Sequence, residues 1–428
     1  MGWRSFFSPQ RIRLVLISLA HAGLLTLLTL WWMSVGTWEF GDEVVIERIT
    51  QSRFLLFGNE DPLVAETKKK LLLINCSYDK ILVPYQDDFG EGTRPITDRK
   101  KLAELLNIIN RAPSKPDYTL WDIFLDHPSP YDSALIAELQ VLDRVILSSY
   151  LTDSSTLYQP YPGLTYALAQ YATMSDTFLK YRLLQSNEAS YVPAQLYLQQ
   201  HGHTWRTWAG FVFGQGWWLN SFIVDLPIRR VHMDNNEITV WNVGEALENF
   251  TPEEIQETVA GRLVVFGDFY ENDVHETFLG QQPGPLILIN TYLGLVKEGA
   301  RITLLLFSCI FLLYFVATQY VFHLREYREK LFSQKIYRVR IARFLFKYLT
   351  YIVIFAIYTV LVYLVTEQHV QLLLFALYFN VFDFLMSKYG DEVKAWLGIS
   401  LPPPPPGNPE TETVAVHPAG IDTIGSIE

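Results

Sequence analysis

Apolar residues collect in four long runs along this chain, and their spacing divides it into parts. Leu14 to Gly36 carries no acid, lysine or arginine and is long enough to cross a bilayer. Positions 37 to 300 hold no other run of that length. Three more then follow close together: Arg301 to His323, Leu349 to Val365 and His369 to Met386. The layout predicts a span at 14–36, one large domain at 37–300, and spans at 301–323, 349–365 and 369–386. Ser34-Val35-Gly36 also suits a small-residue cleavage site. The apolar stretch before it, however, exceeds the roughly 7–15 residues of a signal h-region, so the first span is read as a retained signal anchor.

Between residues 37 and 300 the pattern shortens and alternates. Leu71 to Cys76 is an apolar run fit for a buried strand. Asp98 to Arg111 sets Leu102, Leu105, Leu106 and Ile109 on one helical face, with Asp98 as N-cap. Tyr118 to Phe124 predicts a second strand, Asp132 to Leu142 a helix, and Arg144 to Ser148 a third strand. Residues 157 to 250 are less regular and rich in aromatics. Thr251-Pro252-Glu253-Glu254 then starts a helix to Ala260, followed by a strand from Arg262 to Phe266, a Gly267-Asp268 turn and a helix from Leu286 to Val296. This is the βαβ rhythm of a largely parallel sheet with covering helices and an irregular mixed insertion.

Charge orients the layout. Arg4, Arg11 and Arg13 precede the first span with no acid among them. Arg325, Arg328, Lys330, Lys335, Arg338, Arg340, Arg343 and Lys347 crowd 324–348 against Glu326 and Glu329. Basic segments stay cytoplasmic, which puts 1–13, 324–348 and the tail 387–428 inside and the domain outside. The loop 324–348 reads as a helix on anionic lipid. The tail, with Pro402 to Pro406, reads as extended and disordered, either a bare end or a docking site for another protein. The domain itself holds 35 Asp and Glu against 20 Lys and Arg, a balance that argues against nucleic acid as a partner. The only cysteines, Cys76 and Cys309, fall in a domain strand and a span, so no disulfide framework is expected.

The chain has no Walker loop, GxSxG elbow, HExxH or dinucleotide fingerprint, and neither enzyme activity nor a cofactor is expected. Ligands of open parallel sheets sit at the carboxyl ends of the strands. Those ends carry Ser77 and Asp79, then Asp122 and Asp126, then Ser148 and Ser149, then Asp268, Asp273 and His275. Such a set suits a cation, an amine or a polyhydroxyl ligand. Against this, Asp after a strand is ordinary turn and cap chemistry. Asp122 is singled out because the apolar strand around it makes an unpaired carboxylate costly. His201 and His203 lack a third ligand and read as a solvated loop. Trp205, Trp208, Trp217 and Trp218 read as domain core, with sugar stacking or bilayer contact as alternatives. Asn380 and Asp383, three apart in the last span, mark either a functional intramembrane pair or a packing contact.

GRLVVFGD (261–268), then Asp273, then Gly284 opening an apolar helix before the second span, resembles the closing motif of CHASE2 domains, extracytoplasmic sensory modules of bacterial receptors. RPITDRKKLAELL (94–106), TLWDIFLD (119–126), and Asp176 with Arg182 before Pro193 are similar to further pieces of that family. The resemblance covers about residues 45 to 300 and extends to the layout of one span before the domain and three after it. Two departures stand out: Asn290 occupies the place of the family's usual His, and no catalytic output domain follows the spans. The resemblance implies an inner-membrane sensor detecting a small molecule or envelope component and signalling through a separate effector protein, with homodimerisation left open. The alternative is an assembly subunit of an envelope complex, with no ligand.

Overall fold

The computed structural model describes residues 9–35, 45–46, 48–51, 61–87, 90–171, 177–178, 180–185, 189–324 and 340–398. The expectations for Arg4, Asp176, the basic segment 325–339 and the proline-rich tail lie outside the described residues.

The chain opens with helix α1 (Pro9–Val35). The domain begins with α2 (Pro62–Lys70) and β1 (Leu71–Asn75), a hairpin of β2 (Lys80–Asp87) and β3 (Gly90–Thr97), and α3 (Arg99–Asn110). Next come β4 (Tyr118–Trp121), α4 (Asp132–Val141), β5 (Val145–Ser149) and β6 (Tyr166–Leu168). The irregular middle resolves into β7 (Thr177–Phe178), β8 (Lys180–Arg182), α5 (Val192–His201), the meander β9 (Arg206–Trp208), β10 (Phe211–Gly214) and β11 (Gly216–Leu219), then β12 (Ser221–Ile223) and α6 (Arg230–Asp234). The domain closes with β13 (Thr239–Asn242), α7 (Val243–Asn249), α8 (Pro252–Val259), β14 (Leu263–Gly267), β15 (Val274–Thr277), β16 (Gly280–Pro283) and α9 (Gly284–Val296). Helices α10 (Leu304–Gln319), α11 (Arg340–Thr366) and α12 (Leu373–Trp396) follow.

Six strands form one sheet in the order β13-β1-β14-β4-β5-β6, with every neighbouring pair parallel. The pleat explains the continuous apolar runs. Leu72 and Ile74 of β1 face α3, α4 and α8 through Leu102, Leu106, Leu135 and Ile255. Leu71 and Leu73 face the opposite layer through Val192, Leu196, Leu286 and Leu293. A strand covered on both faces has no polar side to show. Each such leucine contributes on the order of 2 kcal/mol through burial.

The caps read from sequence form as expected. Asp98 accepts the N–H groups of Lys100 (3.0 Å) and Lys101 (3.3 Å), and Thr251 and Glu254 make a reciprocal capping box. Arg99, fully enclosed, pairs with Asp132 in the first turn of α4 and ties the two helices of that layer together. Two boundaries differ from expectation. β4 stops at Trp121, because Phe124 and Asp126 swing out to the surface, so Asp122 sits at the strand's end and not within it. The closing helix starts at Gly284, two residues early, because Pro285 suits its first turn.

Three helices among the described residues are long and apolar enough to cross a membrane: Pro9–Val35, Leu304–Phe322 and Leu349–Thr366. They share a core built from Leu25, Leu30, Ile310, Tyr314 and Phe355. The fourth apolar run is also helical and joins that core through Phe375 and Phe379. It begins only at Leu373, however, and carries Asn380, Asp383 and Lys388, which dilute its apolar character. Residues 369–372 instead belong to the turn leading into it.

Candidate functional site

The carboxyl ends of β14, β4 and β5 open into a cavity of about 580 Å³. Its walls include Asp122, Asp126, Asp268, Asp273 and His275, so five of the six domain residues singled out from sequence converge. Lys80, Phe124, Tyr150, Tyr171 and the first turns of α9 complete it.

Local chemistry places each group. The backbone N–H of Asp122 extends the ladder beyond β4 by donating to Phe266 O (2.7 Å), which aims its side chain at the cavity mouth. Ser148 on β5 donates to Asp122 Oδ1 (2.8 Å). Asp273 precedes β15, and its carbonyl accepts the N–H of Gly284 (2.7 Å), locking the loop onto the start of α9. A Cβ at Gly284 would overlap the Asp273 carboxylate. A Cβ at Gly267 would come 2.5 Å from Pro285 Cγ and 3.5 Å from Asp122 Cβ. The two glycines therefore permit the close approach of β14, α9 and the two carboxyl groups. They are the local signal, beside the acids, that marks this site in the sequence.

Electrostatics separates the acids. Burial pushes the Asp122 carboxyl well above its ordinary value, and the Asp273 charge with a hydrogen bond between the two side chains adds to the rise; the Ser148 hydroxyl opposes it. The neutral form of Asp122 is thus favoured beside the Asp273 side chain. His275 Nε2 bonds Asp273 Oδ1 at 2.7 Å, giving a chain Ser148, Asp122, Asp273, His275. Asp268 behaves oppositely. Burial raises its carboxyl, but the Ser77 hydroxyl and the N–H groups of Glu271, Asn272 and Tyr270 outweigh that and hold it below the usual range. With both oxygens engaged, Asp268 shapes the turn that forms the cavity floor.

Asp126 is exposed at the rim beside His127. Phe124 and Tyr150 meet edge to face there, centroids 5.7 Å apart, with Tyr158 stacked on Tyr150 at 5.0 Å. Sequence reasoning missed this aromatic rim and Tyr171, whose hydroxyl is enclosed without a hydrogen-bond partner among the described residues. These residues follow β4, β5 and β6, and only the strand order brings them together.

Asp79 lies elsewhere. Buried, it accepts Lys101 Nζ (2.7 Å) and the N–H of Gly244 (3.0 Å), pinning α3 to the start of α7. Asn380 and Asp383 are buried on α12, remote from the domain cavity in sequence and fold. Asn380 donates to Ala376 O of its own helix (3.1 Å). Trp205 and Trp218 are core, as expected, but Trp208 is 72% exposed. Among the described residues, no group of three or more His, Cys, Asp or Glu is placed to hold a metal ion.

The raised Asp122 carboxyl has a pH signature. A carboxyl raised in the folded state adds stability at acid pH, and that stability is lost as pH climbs through its folded value. Asp122→Asn, a neutral isostere, lacks the loss. Its stability relative to wild type is expected to grow as pH rises above the ordinary carboxylate range, read by thermal melting of the full chain in detergent. A difference independent of pH would mean the Asp122 carboxyl is not raised.

No family model, no curated protein and no solved structure matches this chain.

Proposed function

We propose that the chain is a membrane sensor of the CHASE2-like kind, whose α/β domain receives a small molecule in the strand-end cavity and passes a shift to its membrane helices. The observation that carries this reading is helix α9. Its first turns line the cavity at Gly284, Ile287 and Leu288, and only residues 297–303 separate its end from α10. At 1.5 Å per residue it is a rod of about 20 Å, able to convey a displacement at Gly284 to a membrane-crossing helix.

In this reading the domain lies outside a bacterial cytoplasmic membrane, α12 supplies a fourth crossing, and both termini are inside. The protein acts as a receptor without catalysis, and a separate effector protein reads the helices. The ligand is a cationic or polyhydroxyl small molecule, suited to an acidic floor under an aromatic rim. Ligand binding moves the helices only if it favours one of two domain conformations.

The experiment is calorimetry on the full chain in nanodiscs with putrescine, spermidine, choline, tyramine and inositol as probes. Saturable heat with at least one probe, lost in Asp273→Asn at unchanged fold, is the expected result. No heat with any probe, together with stoichiometric recovery of envelope or transport subunits from native membranes, would turn the reading to the assembly subunit.

A further inference from the structure

The β9–β11 meander has two faces of different character. The alternation of a strand sends neighbouring residues to opposite sides, and the cross-strand register assigns each side. Val212 pairs with Trp218, and both join Trp205 in the domain core. On the other side, one row runs Leu219, Phe211, Trp208 and the next runs Trp217, Phe213, Arg206. Phe211 and Leu219 are buried in the cluster that also holds residues of α1, α10 and α11, with Phe213 and Trp217 packed beside them, and their strands β10 and β11 contact α1. The sheet therefore rests on the end of the membrane helices.

Its height is fixed by α1. Ser34 donates to Gly210 O (2.6 Å) and accepts the N–H of Asn220 (2.7 Å). Gly210 adopts φ +85°, and a Cβ there would overlap the Val35 side chain. The β9–β10 turn is thus clamped to the last turn of α1. The edge strand β9 extends the same face beyond the helices, so Trp208 and Arg206 continue rows that are otherwise covered, yet both are exposed. Trp208 meets the Phe213 ring, centroids 6.0 Å apart. Trp31 on α1, whose indole borders Gly210, and Leu304 at the start of α10 are exposed as well.

We propose that β9 lies in the headgroup layer of the bilayer on the domain's side, with the Trp208 ring at the acyl boundary and the Arg206 guanidinium against lipid phosphate, so that the sheet sets the height and tilt of the domain over its helices. The occupant is lipid because the exposed row is continuous with residues packed on membrane-crossing helices. Tryptophan, apolar in body with one N–H donor, partitions to this layer, and arginine matches phosphate with a planar fork. The inference rests on α1 and α10 crossing the membrane and is independent of what the cavity binds.

The test uses the full chain with Cys76→Ala and Cys309→Ala, reconstituted in phosphatidylcholine and phosphatidylglycerol vesicles. Trp208→Cys carries a nitroxide label, and Glu253→Cys on α8 serves as a water-exposed reference. Power saturation should give the label at 208 higher oxygen and lower nickel-chelate accessibility than the reference. Equal accessibility to the nickel chelate at both positions overturns the proposal, as does protection from both reagents, which would indicate a protein partner. Because the cysteine removes the ring itself, wild type and Trp208→Phe are also compared. Headgroup-labelled nitroxide lipid should quench more emission in wild type, and iodide quenching that falls in Trp208→Phe would count against the proposal.

Discussion

Replacing Asn290 by leucine is expected to cost the domain about 3 kcal/mol. Asn290 is completely enclosed in the middle of α9. Its Oδ1 accepts the N–H of Ile228 (2.8 Å), and its Nδ2 donates to Ile228 O (2.6 Å) and Leu286 O (2.8 Å). The amide thus completes both backbone groups of a residue in the loop before α6. Leucine keeps the branched shape with bulkier methyl groups, and it strips the N–H and the carbonyl of Ile228 of their partners inside an apolar layer. Each orphaned group costs about 1–3 kcal/mol, whereas Leu286 O keeps its ordinary place at the helix's own i+4 position. Urea denaturation of the full chain in detergent, followed by near-ultraviolet dichroism, measures the loss. A change below about 1 kcal/mol would mean the loop reorganises to satisfy itself.

That role also bears on the departure from the resembled family at this position. An amide presents a donor and an acceptor on one planar group, which is what a two-sided backbone bond to Ile228 requires. Asn290 faces Ile228 and the domain core, while Ile287 and Leu288 border the cavity. The residue is a brace for α9, and losing it would loosen the same rod that links the cavity to α10.

Local chemistry was legible in the sequence wherever one element decided the outcome. Asp98 and Thr251 cap helices because a short polar side chain before an apolar period satisfies free N–H groups whatever the fold around it. β1 and β14 were legible because only strands buried on both faces are apolar throughout. The end of β4 was not, since Ile123, Phe124 and Leu125 continue the apolar run after the strand has ended, and their burial depends on neighbours far along the chain. The strand order was equally hidden. β14 enters between β1 and β4, which draws Asp268 and Asp273 toward Asp122 and leaves Asp79 to α3 and α7. Hydropathy also misplaced the start of the last apolar run, since His369 and Gln371 are drawn out of it by polar partners on the domain. The adjacent Trp217 and Trp218 face opposite ways along β11, so Trp218 enters the domain core while Trp217 packs against the cluster of the long apolar helices.

Those partners support the second large effect. Asp225→Ala is expected to cost about 2–3 kcal/mol, from one charge-assisted and one hydroxyl hydrogen bond, and to free the turn between α11 and α12. Asp225 follows β12 in the domain. It accepts His369 Nε2 at 2.5 Å and the Tyr363 hydroxyl at 2.8 Å, while Tyr363 and His369 stack with centroids 4.4 Å apart. Since a carboxylate only accepts, His369 carries its proton on Nε2 toward the domain. Gln368 adds two bonds from Nε2 to the carbonyls of Glu298 and Arg301, 2.8 Å each, the segment that joins α9 to α10. One turn therefore holds the domain and the α9–α10 junction together. Alanine at 225 leaves the imidazole and the phenol enclosed with fewer partners, whereas Asp225→Asn keeps one acceptor and should lose about half as much. Hydrogen exchange over residues 366–372 reads the result: faster exchange there, with β1 and β14 unchanged, is the expected pattern. Unchanged exchange in the turn would show that Gln368 and ring packing hold it unaided. In a sensor, the same variant should keep probe binding in the cavity while uncoupling it from α11 and α12, because the domain would move without drawing the turn along.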